Sequence, residues 1–130
     1  AGNSPLGELG AAVDLDSAVA LLAGNVFLWN CDGIGNNFYL FRPASGAPLV
    51  FSPWDWERSW EASCDDRFLL ESNRLFRLLA SHPELRRRLK ERLRELVEDR
   101  FPLSALAELA DSEAGRIAEA YRADPWLGGL

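Results

Sequence analysis

A turn with two prolines and one glycine separates two short aromatic segments near the middle of the chain, and this pattern constrains the fold most. The turn covers residues 43–48, with residues 38–42 before it and residues 49–51 after it. Aromatic and β-branched residues on both sides of such a turn favour a β-hairpin. Because segments with helical spacing lie on both sides of the hairpin, the sequence predicts an α+β fold.

One buried helix is predicted before the hairpin, and about three helices are predicted after it. The first helix begins at Asp14 or Asp16 and ends near Leu28, and its apolar residues cover most of its circumference. The C-terminal helices should cover roughly residues 72–80, 81–101 and 104–123. The expected architecture is a buried helix, a loop and a hairpin packed against this C-terminal group of helices.

The longest amphipathic pattern belongs to the second of these C-terminal helices. Residues 81–84 form a capping-box sequence with Pro83 in the first turn, so the helix should begin at Ser81. The predicted buried residues are Leu85, Leu89, Leu93, Leu96 and Val97. The predicted solvent-facing residues are Arg86, Arg87, Lys90, Glu91 and Arg94.

Composition limits the class of protein. The chain has 130 residues, 48% of them hydrophobic, which is enough for one packed core. The net charge of −6 disfavours nucleic acid as the main partner, and no apolar run reaches the ~18 residues of a membrane span. Residues 1–12 are expected to form a linker or a frayed N-terminus, and residues 13–130 a domain. Methionine is absent, even at position 1, so we expect the chain to be part of a longer gene product.

The two cysteines, Cys31 and Cys64, are too few for a disulfide scaffold, and their spacing fits no zinc site. Two arrangements stay open. They pair if the protein is secreted, or they remain two small buried thiols, which is the arrangement we favour.

Acidic and amide side chains are predicted to meet at the open end of the hairpin. Asn37 lies nine positions before Gly46 and Asp55 nine positions after it, so they should lie side by side to within one or two residues of register, because residues equidistant from a turn lie opposite one another. Asp32 lies one short glycine-containing loop earlier, and Glu57 supplies a further carboxylate. Hard oxygen ligands of this kind suit Mg²⁺ or Mn²⁺.

The spacing from Asp32 to Asn37 equals the step from Asp to Asn in a protein-kinase catalytic loop. In that loop the Asp accepts the proton of the substrate hydroxyl and the Asn binds a metal ion, while a later Asp binds the metals that bridge the nucleotide phosphates. Asp55, after the second strand, matches that later Asp. The Asp-x₄-Asn spacing alone is common, and the hairpin followed by Pro53-Trp54-Asp55 makes it more specific.

Residues 36–42 and 51–55, with the sequences NNFYLFR and FSPWD, resemble the CotH spore-coat protein kinases, an atypical family with a kinase-like fold. Residues 75–86 resemble the family's C-terminal helices. The resemblance covers roughly residues 13–121, and its most specific part is residues 32–55. It implies that this chain is the C-terminal, C-lobe-like part of an atypical kinase domain.

The family resemblance also implies an activity, the transfer of the γ-phosphoryl group of ATP to a Ser or Thr hydroxyl of a protein. Matched residue by residue, Asp32 is implied as the catalytic base, and Asn37 and Asp55 as ligands of Mg²⁺ or Mn²⁺. Glu57 stands where the family has a second Asp, which makes it a further candidate metal ligand. The nucleotide-clamping lobe is expected to precede Ala1, so the isolated chain should be inactive.

A second function stays open, that of a non-catalytic spore-coat or cell-surface binding protein that kept the fold. On this interpretation Asp32 caps a turn and Asp55 caps a helix. A third is an interaction module that recruits partners through the Arg-rich helix.

A spore-coat, cell-surface or secreted location is implied by the resemblance alone. The aromatic residues near the site are expected to belong to the core or to the walls of the site; they are Phe38, Phe41, Trp54, Trp56 and Trp60.

Overall fold

The computed structural model describes residues 5–60 and 73–126, and the chain divides into two compact units, residues 1–94 and 95–130. In chain order the elements are α1 (Pro5–Ala12), α2 (Leu15–Phe27), α3 (Cys31–Gly35), β1 (Phe38–Phe41), β2 (Val50–Pro53), α4 (Arg74–Ser81), α5 (Pro83–Glu95), a π-helical turn (Leu96–Arg100) and α6 (Leu103–Ala123). Helices together with a two-stranded antiparallel sheet confirm the predicted α+β class. Of the helices in the described residues, none has both the length and the apolar character needed to cross a bilayer.

Helix α2 is the buried helix that the sequence predicts. Asp14 is its N-cap, because the Asp14 carboxylate accepts a hydrogen bond of 2.7 Å from the backbone N–H of Ser17. Its buried residues occupy several faces and are Ala18, Val19, Leu21, Leu22, Ala23 and Asn25. The helix therefore forms the centre of the first unit.

The predicted hairpin is confirmed, and it packs against the helices through three phenylalanines. Strand β1 pairs with β2 so that Phe38 lies opposite Pro53 and Phe41 opposite Val50. The rings of Phe38, Phe51 and Phe76 contact one another with centroid distances of 5.3, 5.6 and 5.9 Å, and Phe76 has no exposed surface. Edge and tilted ring contacts at these distances are favourable.

One face of the hairpin is open, which corrects part of the prediction for the aromatic residues. Phe41, Trp54 and Trp60 are exposed, whereas Phe38 and Trp56 are half-buried. A two-stranded sheet covered by helices on one side leaves its other side in solvent. Strand β1 therefore has one half-buried residue and three exposed ones, although most of them are aromatic.

The N-terminal segment differs from the expected linker, because residues 5–12 form α1. Its end is fixed by a parallel bridge between Val13 and Leu49, with the Leu49 N–H donating to Ala12 O at 2.9 Å. Leu6 and Leu9 line a small apolar pocket. The other residues that line it are Leu78, His82 and Leu85. These tertiary contacts order a segment whose composition alone predicts none.

The boundary between α4 and α5 also differs from the prediction. Asn73 caps α4, and Ser81 is the last residue of α4 rather than the N-cap of α5. The Ser81 hydroxyl donates back to Leu78 O at 2.8 Å, and Glu84 pairs with arginines. The predicted capping box is therefore not formed.

Helix α5 confirms the predicted solvent face and the first half of the buried stripe. Leu85 and Leu89 are buried, Leu93 and Leu96 are half-buried, and Val97 is 53% exposed, which contradicts its prediction. The π-helical turn after Glu95 is the physical reason, because an i→i+5 hydrogen bond changes the rotation per residue and shifts the helical phase.

The second unit contains the C-terminal helix that the sequence predicts. Pro102 precedes α6, and Asp124 caps its C-terminal end, as the Asp124-Pro125 pair indicates. Within Leu103–Ala123, all of which the structure describes, no residue is buried.

An ion-pair network on α5 surrounds Glu84. Arg87 and Arg88 each bind the Glu84 carboxylate, at 2.8 and 3.0 Å, and Arg88 also reaches Asp16 on α2 at 3.1 Å. Hydrogen bonds from Arg87 and then Arg88 are the main reasons why the pKa of Glu84 falls from 4.5 to about 2. These charges are exposed, so the network contributes little to folding stability.

The lowered pKa of Glu84 gives a testable pH dependence. A carboxylate with a folded pKa below its unfolded pKa stabilises the fold fully above about pH 4.5 and loses that contribution as the pH falls through about 2. An NMR titration of the Glu84 carboxyl carbon should therefore give a midpoint near 2. Arg87→Ala and Arg88→Ala should each raise the midpoint, whereas Lys90→Ala should leave it in place. A wild-type midpoint at the ordinary value for Glu would contradict the network.

Two adjacent leucines of α4 test the orientation of that helix. Leu79 is 1% exposed and Leu78 is 56% exposed. Leu79→Ala should lower the free energy of unfolding by about 2–5 kcal/mol because it leaves a cavity in the core. Leu78→Ala should cost clearly less, at most about 1 kcal/mol, because more than half of the Leu78 surface is exposed although the side chain lines the pocket beside α1. Urea unfolding of both variants measures this difference, and equal losses would show that the helix is rotated.

Candidate functional site

Asp32 lies on a single helical turn, where the sequence predicts a loop. Asn30 caps this turn, α3, because its side-chain Oδ1 accepts hydrogen bonds from the backbone N–H groups of Asp32 and Gly33, at 3.1 and 2.8 Å. An Asn at this position satisfies N–H groups that have no partner within the helix. The helical turn therefore replaces the flexible loop that the two glycines predict.

Two amide side chains orient the Asp32 carboxylate. Asn36 Nδ2 donates to Asp32 Oδ1 at 2.9 Å, and Asn37 Nδ2 donates to Asp32 Oδ2 at 3.0 Å. Asp32 is half-buried and Asn37 is 6% exposed. Each carboxylate oxygen thus accepts one neutral N–H donor and keeps lone-pair capacity for a further partner.

The Asn37 side chain also connects Asp32 with the Asp55 segment. Asn37 Nδ2 lies 3.4 Å from Asp55 O, and the Trp54 N–H donates to Asn37 O at 3.1 Å. Asn37 is therefore paired with Trp54, one residue before the predicted partner Asp55. The structure brings Asp32, Asn37 and Asp55 together as the sequence predicts, with a strand register inside the predicted tolerance of one or two residues.

Asp55 has a strained backbone. Its φ angle is +53°, in the left-handed region that costs most residues about 1–2 kcal/mol and Asp somewhat less. The Asp55 carboxylate accepts a long hydrogen bond of 3.5 Å from the backbone N–H of Glu57. Strain of this kind persists only where neighbouring contacts fix the chain.

Those neighbouring contacts connect the segment after Asp55 to α2. The six-membered ring of Trp56 approaches Gly24 so closely that a Cβ there would lie 3.1 Å from Trp56 Cη2. The Trp60 N–H donates to Leu28 O at 2.8 Å. Two contacts with the C-terminal half of α2 therefore determine where Asp55 lies.

Helix α3 is fixed on two further sides. A Cβ at Gly33 would lie 1.8 Å from Asn25 Oδ1, so α3 approaches α2 as closely as glycine permits. Asn73 Nδ2 donates to Ile34 O at 3.1 Å, while Asn73 Oδ1 caps α4. The sequence pattern alone does not mark Asn25, Asn30 or Asn73 as site residues. A sequence signal exists for Asn30 and Asn73. Each is an Asn directly before a helix, where its side-chain oxygen can accept hydrogen bonds from the first backbone N–H groups of that helix.

The chemical character of the site is that of hard oxygen atoms. Among residues 5–60 and 73–126, no three His, Cys, Asp or Glu side chains are close enough together to hold a metal ion. Glu57 is exposed. A cation at this site would therefore combine carboxylate and amide oxygens of the protein with oxygens from a ligand. Cys64 and the side chain of Cys31 lie outside the described part of the chain, so the cysteine prediction stays a prediction.

The two glycines of α3 provide a matched test of its approach to α2. Gly33→Ala should destabilise the fold by about 1–3 kcal/mol, because Asn25 is buried, is bonded to Leu21 O and has little room to move. Gly35→Ala meets nothing within 4 Å and should be neutral or stabilising by about 0.5–1 kcal/mol. Thermal unfolding of both variants measures the contrast, and similar stabilities would refute the close packing of α3 on α2.

Comparison with known proteins places this chain in a family. A family model described as CotH kinase protein matches residues 3–129. Inner spore coat protein H of Bacillus subtilis (strain 168) is 25% identical over 126 residues, which cover 92% of this chain and 35% of that protein. The chain thus spans about a third of the length of this curated relative. No solved structure gives a significant match. The match over nearly the whole chain shows that it belongs to the CotH kinase protein family.

Proposed function

We propose that this chain is the metal-binding, C-lobe-like part of an atypical protein kinase that transfers the γ-phosphoryl group of a nucleotide to a protein hydroxyl. The observation that carries the proposal is the double contact of Asn37 Nδ2, with the Asp32 carboxylate at 3.0 Å and with Asp55 O at 3.4 Å. One amide group thus holds the two aspartates that the chemistry needs. Family membership and the Asp-x₄-Asn spacing support the same function.

The surroundings of Asp32 suit a general base. Its two oxygens accept hydrogen bonds from neutral amides, so the carboxylate is oriented without an ion pair that would neutralise it. In the proposed reaction Asp32 accepts the proton of the acceptor hydroxyl as the hydroxyl oxygen bonds to the γ-phosphorus. The bond from the γ-phosphorus to the bridging oxygen breaks, and the nucleoside diphosphate leaves. Orientation of the hydroxyl is the contribution expected from Asp32.

The surroundings of Asp55 and Asn37 suit Mg²⁺ or Mn²⁺. Within the described residues, the Asp55 carboxylate accepts one long hydrogen bond, from the Glu57 N–H, which leaves its oxygens available to a cation. Asn37 donates through Nδ2, so its Oδ1 is the atom that can ligate. When bound, the cation would neutralise negative charge on the phosphate oxygens. Two protein oxygens are a typical set for Mg²⁺, which completes its shell with phosphate and water. Glu57 stays a further candidate ligand.

The residues that would bind the nucleotide phosphates are expected to lie outside the described residues. Lys90 is the one lysine of the sequence, and it is exposed on the solvent face of α5. The matched region covers 35% of the curated relative, so the activity of a longer protein is part of the proposal. The nucleotide-clamping lobe would be supplied by the longer protein, and the isolated chain should not transfer phosphate.

Substitution of the two aspartates in the full-length protein tests the proposed roles. Asp55→Ala should abolish both Mg²⁺-dependent nucleotide binding and phosphoryl transfer. Asp32→Asn should leave nucleotide affinity nearly unchanged and lower kcat about 10²–10⁴-fold, the usual contribution of a positioned general base. Calorimetry with Mg²⁺ and a nucleotide measures binding, and transfer of labelled phosphate to protein measures turnover.

Asp16→Asn is the matched control, because Asp16 is exposed and lies in the first turn of α2, whereas α2 contacts the Asp32 and Asp55 segments through Asn25 and Gly24 in its C-terminal half. It should leave binding and turnover unchanged. Normal phosphorylation by Asp55→Ala would sink the proposal, and so would turnover by the isolated 130 residues. Absence of transfer by the full-length protein would favour a non-catalytic binding function for the fold.

A further inference from the structure

Asn30 lies between α2 and α3 and contacts both. It is fully buried, and its backbone N–H donates to Asn25 O at 2.9 Å at the C-terminal end of α2. Its side-chain Oδ1 accepts from Asp32 N and Gly33 N at 3.1 and 2.8 Å. One residue thus connects the central helix to the backbone of the candidate base.

We infer that Asn30 is a positioning residue for Asp32, an inference that rests on the proposed function. Helix α3 has five residues, and a helix of that length is not stable without outside contacts. The first N–H groups of any helix lack intrahelical partners, and here Asn30 supplies one oxygen to two of them. The Asn30 cap therefore fixes the backbone from which the Asp32 carboxylate projects towards Asn37.

The two polar atoms of the Asn30 side chain are used unequally. Oδ1 accepts two hydrogen bonds, whereas Nδ2 is buried without a partner among the described residues. Burial of an unpaired amide group opposes folding. The oxygen is therefore the atom that positions Asp32, and a residue that keeps an acceptor oxygen should replace Asn30.

The segment after Asp55 has contacts of its own that do not involve the Asn30 side chain. The segment after Asp55 is held by the Trp56 contact with Gly24 and by the hydrogen bond from Trp60 N to Leu28 O. Loss of the cap should therefore displace Asp32 and leave the Asp55 side of the site in place. The expected signature is a fall in kcat with little change in nucleotide binding.

A kinetic double-mutant cycle in the full-length protein tests this inference. Asn30→Ala should lower kcat about 10²-fold, the loss expected from a reacting group misplaced by about 1 Å. The KM for nucleotide and the number of nucleotide sites per chain should not change. Asn30→Ser differs from Asn30→Ala by one hydroxyl oxygen, which can accept hydrogen bonds from the same N–H groups. It should therefore recover most of the kcat that Asn30→Ala loses.

The Asp32→Asn background separates positioning from a general structural role. If Asn30 acts through Asp32, Asn30→Ala should lower kcat no further once Asp32 is Asn. Leu89→Ala, which destabilises the core away from the site, is the matched control. It should lower thermal stability and leave kcat per nucleotide site unchanged.

Each outcome decides the inference. If Asn30→Ala combined with Asp32→Asn lowers kcat by the product of the two single losses, Asn30 has a purely structural role. A normal kcat for Asn30→Ala would lead to the same conclusion. If Asn30→Ala does not fold, a kcat for Asn30→Ser or Asn30→Asp as low as that of Asp32→Asn would equally overturn the inference. These results would leave the proposed function standing. Normal turnover by Asp32→Asn, or no transfer by the full-length protein, would refute the proposed function and this inference together.

Discussion

Helix α2 supports every part of the candidate site, because each segment that carries a site residue contacts it. The Ser17 hydroxyl accepts a hydrogen bond of 3.1 Å from Phe51 N on β2, which fixes the hairpin against the helix. Asn25 contacts α3 at Gly33, and Gly24 contacts the segment after Asp55 through Trp56. These contacts come from two parts of one helix, the first turn with Ser17 and the C-terminal half with Gly24 and Asn25. Because α2 is buried on several faces, it can contact all of these segments and bring Asp32, Asn37 and Asp55 to a common position.

Neutral amides hold this site together. Asn36 and Asn37 orient the Asp32 carboxylate, Asn30 fixes its backbone and Asn73 holds α3 at Ile34 O. A buried ion pair carries a large desolvation cost, whereas an amide contact carries a much smaller one. Amides also leave the carboxylate without a cationic partner, which the proposed general base and the proposed cation site would both require. The Asn-rich segment is thus suited to an acidic site that must stay charged.

The sequence was sufficient for the elements whose pattern is strong and local. The α2 periodicity, the hairpin and the approach of Asn37 to Asp55 follow from spacing and turn chemistry. Spacing predicts the register only to within one or two residues, because the exact register depends on the turn conformation around Gly46, which has a φ of +79°.

Other features depend on tertiary contacts that no local pattern contains. Helix α1 is ordered by pairing of its end with Leu49 and by the leucines of α4 and α5. The exposure of Val97 follows from a π-helical turn, and the exposure of Trp54 follows from the open face of a two-stranded sheet. The helical turn at Asp32 forms because Asn30 caps it and α2 lies beneath it. For α1 and for the position of α3, the missing information is the identity of a distant neighbour, Leu49 in the first case and Asn25 in the second.

Backbone strain at the candidate site indicates that its geometry exists before any ligand binds. Trp29, Asp55 and Trp60 all have positive φ angles. Trp29 lies just before α3, which carries Asp32, and Trp60 lies in the segment after Asp55. Such conformations are unfavourable for these residues, so contacts elsewhere must offset them. The Trp56 contact with Gly24 and the hydrogen bond from Trp60 to Leu28 are contacts of that kind. Folding of the core around α2 offsets this strain. The binding of a ligand would therefore not have to supply the free energy that keeps these backbone conformations in place. Binding free energy would then be available for orienting the reacting groups, which is the main requirement of phosphoryl transfer.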